Sequence, residues 1–383
     1  MTTLAFDITG AEILLAGQGL TAAPLSIAGG CIVSDTTGRA VDLRGYLVLP
    51  GIVDLHGDAF ERHMAPRRGA MTQMAEGLIS TEAELAASGI TTAVLAQFMS
   101  WEGGLRGADF ADKVFTALAR TRPELVSDLI PQLRFETNLL EDYADLPDRV
   151  AEWGVRYVVF NDHLPHCELA AGKRPPGLTG QALKAARNPE DHLALLQALH
   201  ARIGEVPEAL DWLTAQLAKA GVRMGSHDDH TAAQRATWRD RGVYITEFPE
   251  TLAAAEAARA AGDGIILGSP NVVRGGSHKG NASAVDLVAM GLCDALASDY
   301  HYPSPRRAAL MLAKTGVLSF ETAWGLVSDG PARLLGLADR GRLEPGLRAD
   351  LVILDNETQR VAATLAAGRI SYMSGDIAAR FLT

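Results

Sequence analysis

Eight short apolar segments, rich in β-branched residues, recur through the middle of the chain. They are Gly51–Leu55, Thr91–Ala96, Leu129–Phe135, Tyr157–Phe160, Val222–Gly225, Val243–Thr246, Gly264–Gly268 and Asp294–Ser298. Stretches rich in Ala, Leu and Glu lie between them, among them Thr81–Ala87, Asp109–Ala119, His192–Ile203, Pro207–Ala220 and Ala253–Ala261. Strands that alternate with helices in this way predict an α/β fold, a (β/α)₈ barrel of the TIM type.

The two ends of the chain show a different pattern, in which short strands are separated by turns. The predicted strands are Ala11–Leu15, Leu25–Ala28, Cys31–Asp35, Leu47–Leu49, Leu351–Leu354, Ala362–Ala366 and Ile370–Met373. We therefore expect a small β-sandwich domain built from residues 1–50 and 340–383, with the barrel over residues 51–339. The segment Cys167–Glu208 is long for a connection between a strand and a helix, and it predicts a helical excursion over the barrel mouth.

The composition of the chain argues against a nucleic-acid-binding protein and against a membrane protein. The 383 residues carry a formal net charge of −11, and a duplex nucleic-acid partner would usually need a basic footprint. No apolar run is long enough to predict a transmembrane helix, and residues 1–10 lack the pattern of a secretory signal, so a cytoplasmic protein without a membrane partner is expected. The three cysteines are scattered and predict packing residues rather than disulfides. The sequence leaves the oligomeric state open, a homo-oligomer included.

Ionisable residues follow the ends of the predicted strands, where a (β/α)₈ barrel gathers its working residues. In chain order they include His56, Asp58, Glu136, Asp162, His163, His227, Asp228, Asp229, His230, Glu247 and Asp299. A single histidine at such a place is more often a satisfied polar residue, but so many at strand ends favour a metal site. Imidazole and carboxylate ligands suit zinc, manganese or iron. His56 and Asp58 share one face of an extended strand end, so both could reach one ion.

Asp299, at the end of the last predicted strand, is the candidate catalytic residue. A bound metal ion would lower the pKa of a water molecule to near neutrality. A carboxylate within hydrogen-bond reach could then take the proton and deliver it to the leaving group. The alternative role for Asp299 is to cap the helix predicted to begin near Pro305.

Two clusters of basic and polar residues predict a small substrate that carries phosphate. Candidates after the first strand are Arg62, His63, Arg67 and Arg68; after the seventh they are Asn271, Arg274, Ser277, His278, Lys279 and Asn281. Guanidinium groups match the geometry of phosphate oxygens, and Gly275-Gly276 would let backbone N–H groups approach an anion. Each residue alone could be a solvated surface charge, but both clusters belong to one face of the barrel.

The sequence resembles the amidohydrolase superfamily. Residues 49–56 resemble its first barrel strand, and residues 341–352 resemble its return to the β-sandwich. Within the superfamily, the sequence is similar to the α-D-ribose 1-methylphosphonate 5-triphosphate diphosphatase family of the carbon–phosphorus lyase pathway of phosphonate degradation. The matching stretches are residues 54–63 with 66–67, 226–229, 247–249, 270–278 with 280–281, and 298–300.

This resemblance implies a metal-dependent diphosphatase whose substrate is a small phosphorylated sugar. The enzyme would release pyrophosphate from the 5-triphosphate and leave the 5-phosphate. The resemblance also implies one or two divalent ions, with Zn²⁺ favoured and Mn²⁺, Fe²⁺ and Mg²⁺ as alternatives. The implied ligands are His56, Asp58, Glu136, His163 and His227, with Glu136 replacing the bridging lysine of other members. Asp228, His230 and Glu247 are further candidates: His230 is an alternative to His163, and Glu247 stands where many members have a histidine.

The sequence also departs from the diphosphatase pattern. Gly57-Asp58-Ala59 stands where Thr-Asp-Asn is expected, and Pro66-Arg67-Arg68 stands where Pro-Arg-Pro is expected. These departures remove none of the implied metal ligands, but they leave the exact substrate open. The competing hypotheses are therefore an amidohydrolase that cleaves a C–N bond, in a cyclic amide or an N-acyl amino acid, and a non-catalytic scaffold. A scaffold would not need so many ionisable groups at strand ends.

Overall fold

Both ends of the chain contribute to a two-layered β-sandwich that lies beside a parallel barrel. The computed structural model describes residues 3–65, 73–275 and 282–382. The sandwich strands are β1 (Phe6–Thr9), β2 (Glu12–Leu15), β3 (Gly19–Thr21), β4 (Leu25–Ala28), β5 (Cys31–Val33), β6 (Ala40–Asp42), β7 (Tyr46–Pro50), β16 (Leu351–Asp355), β17 (Val361–Ala366) and β18 (Arg369–Met373). They form a four-stranded sheet in the order β5-β4-β1-β6 and a six-stranded sheet in the order β18-β17-β16-β7-β2-β3.

The six-stranded sheet is buried on both faces, and its central strands show why. Val48 of β7 and Ile353 of β16 belong to the core between the two sheets. Their neighbours Leu49 and Val352 belong instead to the core shared with the barrel helices. Because successive side chains of a strand point to opposite faces, a continuous apolar run is what a sheet covered on both sides requires. The sandwich predicted from the chain ends is confirmed.

The barrel contains the eight predicted strands, all parallel and each hydrogen-bonded to the next along the chain. They are β8 (Ile52–Gly57), β9 (Ile90–Met99), β10 (Asp128–Glu136), β11 (Tyr157–Asn161), β12 (Arg223–His227), β13 (Ile245–Glu247), β14 (Gly264–Gly268) and β15 (Ala295–Ala297). The last strand returns to the first through Asp54, whose carboxylate accepts hydrogen bonds from the backbone N–H of Ser298 at 2.9 Å and from its hydroxyl at 2.5 Å. The predicted (β/α)₈ fold is therefore confirmed.

Helices surround the barrel strands, and the last helix of the chain packs against the sandwich instead. They are α1 (Glu61–Met64), α2 (Met74–Ala87), α3 (Ala108–Thr121), α4 (Leu146–Glu152), α5 (His166–Ala170), α6 (Leu178–Lys184), α7 (Pro189–Ala201), α8 (Val206–Lys219), α9 (Ala232–Asp240), α10 (Leu252–Ala261), α11 (Ser269–Arg274), α12 (Ala284–Ala289), α13 (Ser304–Lys314), α14 (Phe320–Gly325), α15 (Asp329–Leu335) and α16 (Ile377–Leu382). In the described part of the chain, none of them has both the length and the apolar character needed to cross a membrane.

The long segment between β11 and α8 is helical, as predicted, and consists of α5, α6 and α7. Leu169, Leu178 and Leu196 of these helices pack into one buried cluster with Trp101 and Leu164. Trp101 follows the end of β9 and Leu164 follows the end of β11. The excursion therefore packs on loops at the carboxyl ends of the strands, beside the residues predicted to form the site.

Polar contacts join the sandwich to the barrel. The Arg340 guanidinium donates to the Thr92 hydroxyl and to the Asp128 carboxylate, both at 2.8 Å. The Thr364 hydroxyl of β17 donates to the carbonyl of Ala86 at the end of α2, at 2.7 Å. Arg340 and Thr364 are almost fully buried, so these bonds form away from solvent and fix the sandwich against the barrel.

Candidate metal centre

Just after three of the barrel strands, β12, β13 and β15, one residue has a left-handed backbone conformation. These residues are Asp228 (φ 58°), Phe248 (φ 57°) and Asp299 (φ 55°). Residues other than glycine rarely adopt this conformation, and such strain tends to cluster at functional sites. Each of the three donates its backbone N–H at 2.9 Å to a carbonyl of an adjacent strand, at Glu247, Ile266 and His56 respectively. The ladder of the barrel therefore continues one or two residues beyond each of these strands and holds the strand ends in place.

His56 is held by a buried carboxylate from the opposite side of the barrel. Its Nδ1 lies 2.6 Å from a carboxylate oxygen of Glu247, and both side chains are fully buried. Glu247 also accepts hydrogen bonds from the Tyr157 hydroxyl at 2.6 Å and from the Gln132 amide at 3.2 Å. Burial alone would raise the pKa of Glu247, but His56 outweighs it and the pKa lies below its usual value. Glu247, one of the additional ligand candidates, therefore orients His56 and leaves its Nε2 facing Arg134, at 3.4 Å.

The ligand candidates meet in three overlapping groups of side chains. The groups are His56, Asp58 and Asp299; His56, His227 and Glu247; and His163, His227 and Asp228. Within each group, one potential ligand atom per residue lies within 4.8 Å of the others. Imidazole nitrogens combined with carboxylate oxygens form the donor set that zinc and related ions prefer. The residues present therefore fit a divalent metal ion.

His227 has the protonation state that metal binding needs. Burial and the neighbouring Arg134 guanidinium lower the pKa of His227 to about 4. The imidazole is therefore neutral near pH 7, and one ring nitrogen keeps a lone pair. Its Nε2 lies 2.9 Å from an Arg134 nitrogen and accepts a hydrogen bond from it.

Arg134 is a further candidate for the site, and the sequence patterns did not reveal it. It lies inside β10 and is only 4% exposed. Its guanidinium donates to the Asn161 side-chain oxygen at 2.9 and 3.3 Å, and it approaches an Asp58 oxygen to 3.7 Å. Because side chains of a barrel strand alternate between inside and outside, the polar series Gln132, Arg134 and Glu136 could have revealed it.

Glu136, a predicted ligand, lies against His163. Its carboxylate accepts hydrogen bonds from the His163 backbone N–H at 3.1 Å and from the His163 ring Nδ1. Glu136 is fully buried, and it belongs to none of the three groups found among the described residues. The arrangement is that of a carboxylate that orients a ligand histidine, and it directs His163 towards His227 and Asp228.

Asp299 lies beside the first group and has the properties of a proton acceptor. Burial, together with the neighbouring Asp58, raises the pKa of Asp299 to about 6. A carboxyl group that titrates near neutrality suits general acid–base chemistry. Asp299 does not cap the following helix: α13 begins at Ser304, and the residue before it is Pro303.

Two of the predicted phosphate-binding residues, Asn271 and Arg274, lie at or near a cavity beside the three groups. A cavity of about 220 Å³ is lined by Arg134, His227, Asp299 and Asn271, among others. Arg274 of α11 donates to the hydroxyl of Tyr300 at the edge of this cavity.

The remaining candidates lie elsewhere. The His63 ring is 2.6 Å from a Glu84 carboxylate on α2, which also pairs with Arg62. The His230 side chain is 66% exposed and lies 3.3 Å from Glu250, outside the three groups. Arg67, Ser277, His278 and Asn281, with Arg68 and Lys279, lie outside the described residues.

Comparisons with known proteins identify the family of this chain. A family model described as "Amidohydrolase family" matches residues 82–373. The α-D-ribose 1-methylphosphonate 5-triphosphate diphosphatase of Escherichia coli (strain K12) is 32% identical over 340 residues, which are 84% of this chain and 87% of that protein. An imidazolonepropionase of Ruegeria sp. (strain TM1040) is 26% identical over 338 residues, which are 82% of this chain and 80% of that protein.

Solved structures resemble the chain in fold. A triazine hydrolase variant superposes with a TM-score of 0.64 at 14% identity, over 99% of this chain and 98% of that one. The N-acetylglucosamine-6-phosphate deacetylase of Pasteurella multocida superposes with a TM-score of 0.63 at 10% identity, over 96% of this chain and 99% of that one. The barrel, the sandwich, the matched family model and the relative at 32% identity agree: this chain belongs to the amidohydrolase family and is a hydrolase.

Proposed function

We propose that this protein is a metal-dependent diphosphatase of phosphonate catabolism. It hydrolyses α-D-ribose 1-methylphosphonate 5-triphosphate to the 5-phosphate and pyrophosphate. One water molecule is consumed, and the P–O bond between the α- and β-phosphoryl groups is broken. The similarity to the Escherichia coli diphosphatase supports this choice of substrate.

The observation that carries the proposal is a buried guanidinium next to the metal-binding groups. Arg134 contacts His227 at 2.9 Å and approaches Asp58 to 3.7 Å, and it lines the same cavity as Asp299. A fixed positive charge at this place favours a substrate that brings several negative charges and develops another on its leaving group. Cleavage of a neutral amide does not require such a charge.

Each residue of the centre has a defined part in this reaction. His56 and Asp58 would hold a divalent ion, which when bound supplies a Lewis acid and lowers the pKa of a water molecule. Asp299 takes a proton from the attacking water and returns one to a leaving oxygen. Glu247 and Glu136 keep the rings of His56 and His163 in orientation, and Arg134 contacts the phosphoryl oxygens.

The test is product analysis with protein loaded with Zn²⁺, Mn²⁺ or Mg²⁺. Incubation with the ribose 5-triphosphate should release pyrophosphate and no orthophosphate, which ³¹P NMR distinguishes directly. An Asp299→Asn variant should lose activity by at least 100-fold, since general acid–base catalysis contributes about 10²–10⁴ in rate. Absence of pyrophosphate with all three ions would refute the proposal.

The second candidate is hydrolysis of a C–N bond, which the similarity to an imidazolonepropionase favours. Arg274, which contacts Tyr300 at the edge of the cavity, distinguishes the two candidates. Arg274→Ala should be severe for a polyphosphate substrate, because a guanidinium contact to phosphate is lost, and mild for a neutral amide. Hydrolysis of a cyclic amide that Arg274→Ala leaves unchanged would favour the second candidate.

A further inference from the structure

We propose that Arg134 acts as a built-in cation at this centre, so that the protein binds a single divalent ion. This inference rests on the proposed function in one respect only, namely that the centre binds a metal ion. The ion would be held by His56 and Asp58, next to Asp299. The guanidinium of Arg134 would keep the position next to His227, where a second ion would otherwise bind.

The guanidinium reaches both parts of the centre with different nitrogens. One terminal nitrogen is 2.9 Å from the Nε2 of His227. The other is 3.4 Å from the Nε2 of His56 and 3.7 Å from an Asp58 oxygen. The short contact is therefore at His227, whereas the contacts at His56 and Asp58 are long.

Other residues hold Arg134 in this position. Asn161 accepts from two of its nitrogens, at 2.9 and 3.3 Å. The guanidinium carbon also lies 3.9 Å from the centre of the Phe98 ring, in cation–π contact. Moving the guanidinium away from His227 would disrupt these buried contacts, and a buried charged group without partners is costly.

The consequence is an asymmetry between two of the three candidate groups. An ion among His163, His227 and Asp228 would need the Nε2 of His227, which already accepts a hydrogen bond from Arg134. An ion among His56, Asp58 and Asp299 would replace only the long contacts. A guanidinium cannot lose its charge at physiological pH, so Arg134 remains a cation while the ion is bound.

The experiment counts bound ions per chain. Wild-type protein, loaded with Mn²⁺ or Zn²⁺ and freed of excess ion, should contain one ion by plasma mass spectrometry. Arg134→Met should contain two, and its Mn²⁺ form should show the spin-coupled EPR signal of a pair of neighbouring ions. Arg106→Met is the matched control, because Arg106 also stacks on Phe98, at 4.3 Å, and should still give one ion.

His227→Asn provides a second test if Arg134→Met does not fold. It should retain one ion with an affinity within about threefold of wild type, since the ion is not held by His227. Two ions in wild type, one ion in folded Arg134→Met, or loss of the ion in His227→Asn would overturn the inference. These counts require no substrate, so failure to release pyrophosphate would count against the proposed function alone.

Discussion

The Nδ1 atom of His56 and a carboxylate oxygen of Glu247 lie 2.6 Å apart, although 191 positions separate the two residues in the chain. Both side chains are fully buried. The pair determines which ring nitrogen of His56 faces the centre, because Nδ1 is occupied by the carboxylate. A carboxylate behind a ligand histidine also makes that histidine a stronger ligand.

The first prediction concerns this pair. Glu247→Gln should weaken Zn²⁺ binding by about 10- to 100-fold, the usual effect of losing a carboxylate partner of a ligand histidine. Competition with a chromophoric chelator measures the affinity. Tyr157→Phe is the matched control, because it removes another hydrogen bond to Glu247 and leaves the His56 contact in place. Equal losses in the two variants would mean that the pair acts through packing alone.

The second prediction separates the histidines that the sequence offered as ligands. His56→Asn should abolish stoichiometric binding of Zn²⁺, because His56 belongs to two of the three groups. His230→Asn should leave the ion content unchanged, because the side chain is 66% exposed and faces Glu250. Metal analysis after dialysis, with circular dichroism to verify folding, gives the result. Loss of the ion in His230→Asn would show that His230 is a ligand.

The strands of the barrel could be predicted because burial on both faces produces apolar runs. Tyr157–Asn161 of β11 and Ile90–Met99 of β9 are buried at every position. The sandwich strands β1, β3 and β6 were missed. Strands β3 and β6 contain three residues each with at most one of them buried, so no apolar run marks them. That reason does not apply to β1, whose first three residues are buried.

The site could be predicted only in part, for a related reason. Asp58, His163 and Asp299 come one or two residues after strands, which is where working residues of a barrel are expected. Arg134 lies within a strand, and only its inward orientation makes it functional. The partners of ligand residues were also out of reach: Glu247 lies beside His56 only because the barrel closes, and spacing along the chain does not encode this contact.

The third prediction concerns Gly57, which stands where the diphosphatase pattern has threonine. A Cβ atom at position 57 would lie 2.8 Å from an Asp54 oxygen, 2.9 Å from a Tyr302 ring carbon and 3.0 Å from the Ser298 hydroxyl. Gly57→Thr should therefore lower the free energy of unfolding by about 1–3 kcal/mol, as overpacking does. Urea denaturation at pH 7 measures the change.

Gly180→Ala serves as the control for this prediction. A Cβ atom at position 180, in α6, meets no atom within 4 Å, and alanine favours the helix by up to about 1 kcal/mol. It should leave the protein as stable as wild type or more stable. If Gly57→Thr unfolded at the same urea concentration as wild type, the strand end would have to be more adaptable than its contacts indicate.

The fourth prediction concerns pH and the contact between sandwich and barrel. Burial raises the pKa of Asp128, but Arg122 at 2.6 Å and Arg340 at 2.8 Å outweigh it, so the pKa in the folded protein lies below the ordinary value of 3.8. A lowered carboxyl pKa stabilises the fold at pH values above the ordinary pKa. The contribution is lost as the pH falls through the folded-state pKa, below about 4.

Asp128→Asn should therefore destabilise the protein by about 1–3 kcal/mol at pH 7, because buried hydrogen bonds to two charged groups are weakened. The difference from wild type should be the same at pH 5 and should shrink below pH 4, where the wild-type carboxylate takes up a proton. Urea unfolding of both proteins at pH 7, 5 and 3.5 measures this. Asp240→Asn, at an exposed position, should stay within about 0.5 kcal/mol of wild type throughout. If the loss in free energy of unfolding caused by Asp128→Asn stayed constant down to pH 3.5, the contact between Asp128 and Arg340 would depend on packing rather than on charge.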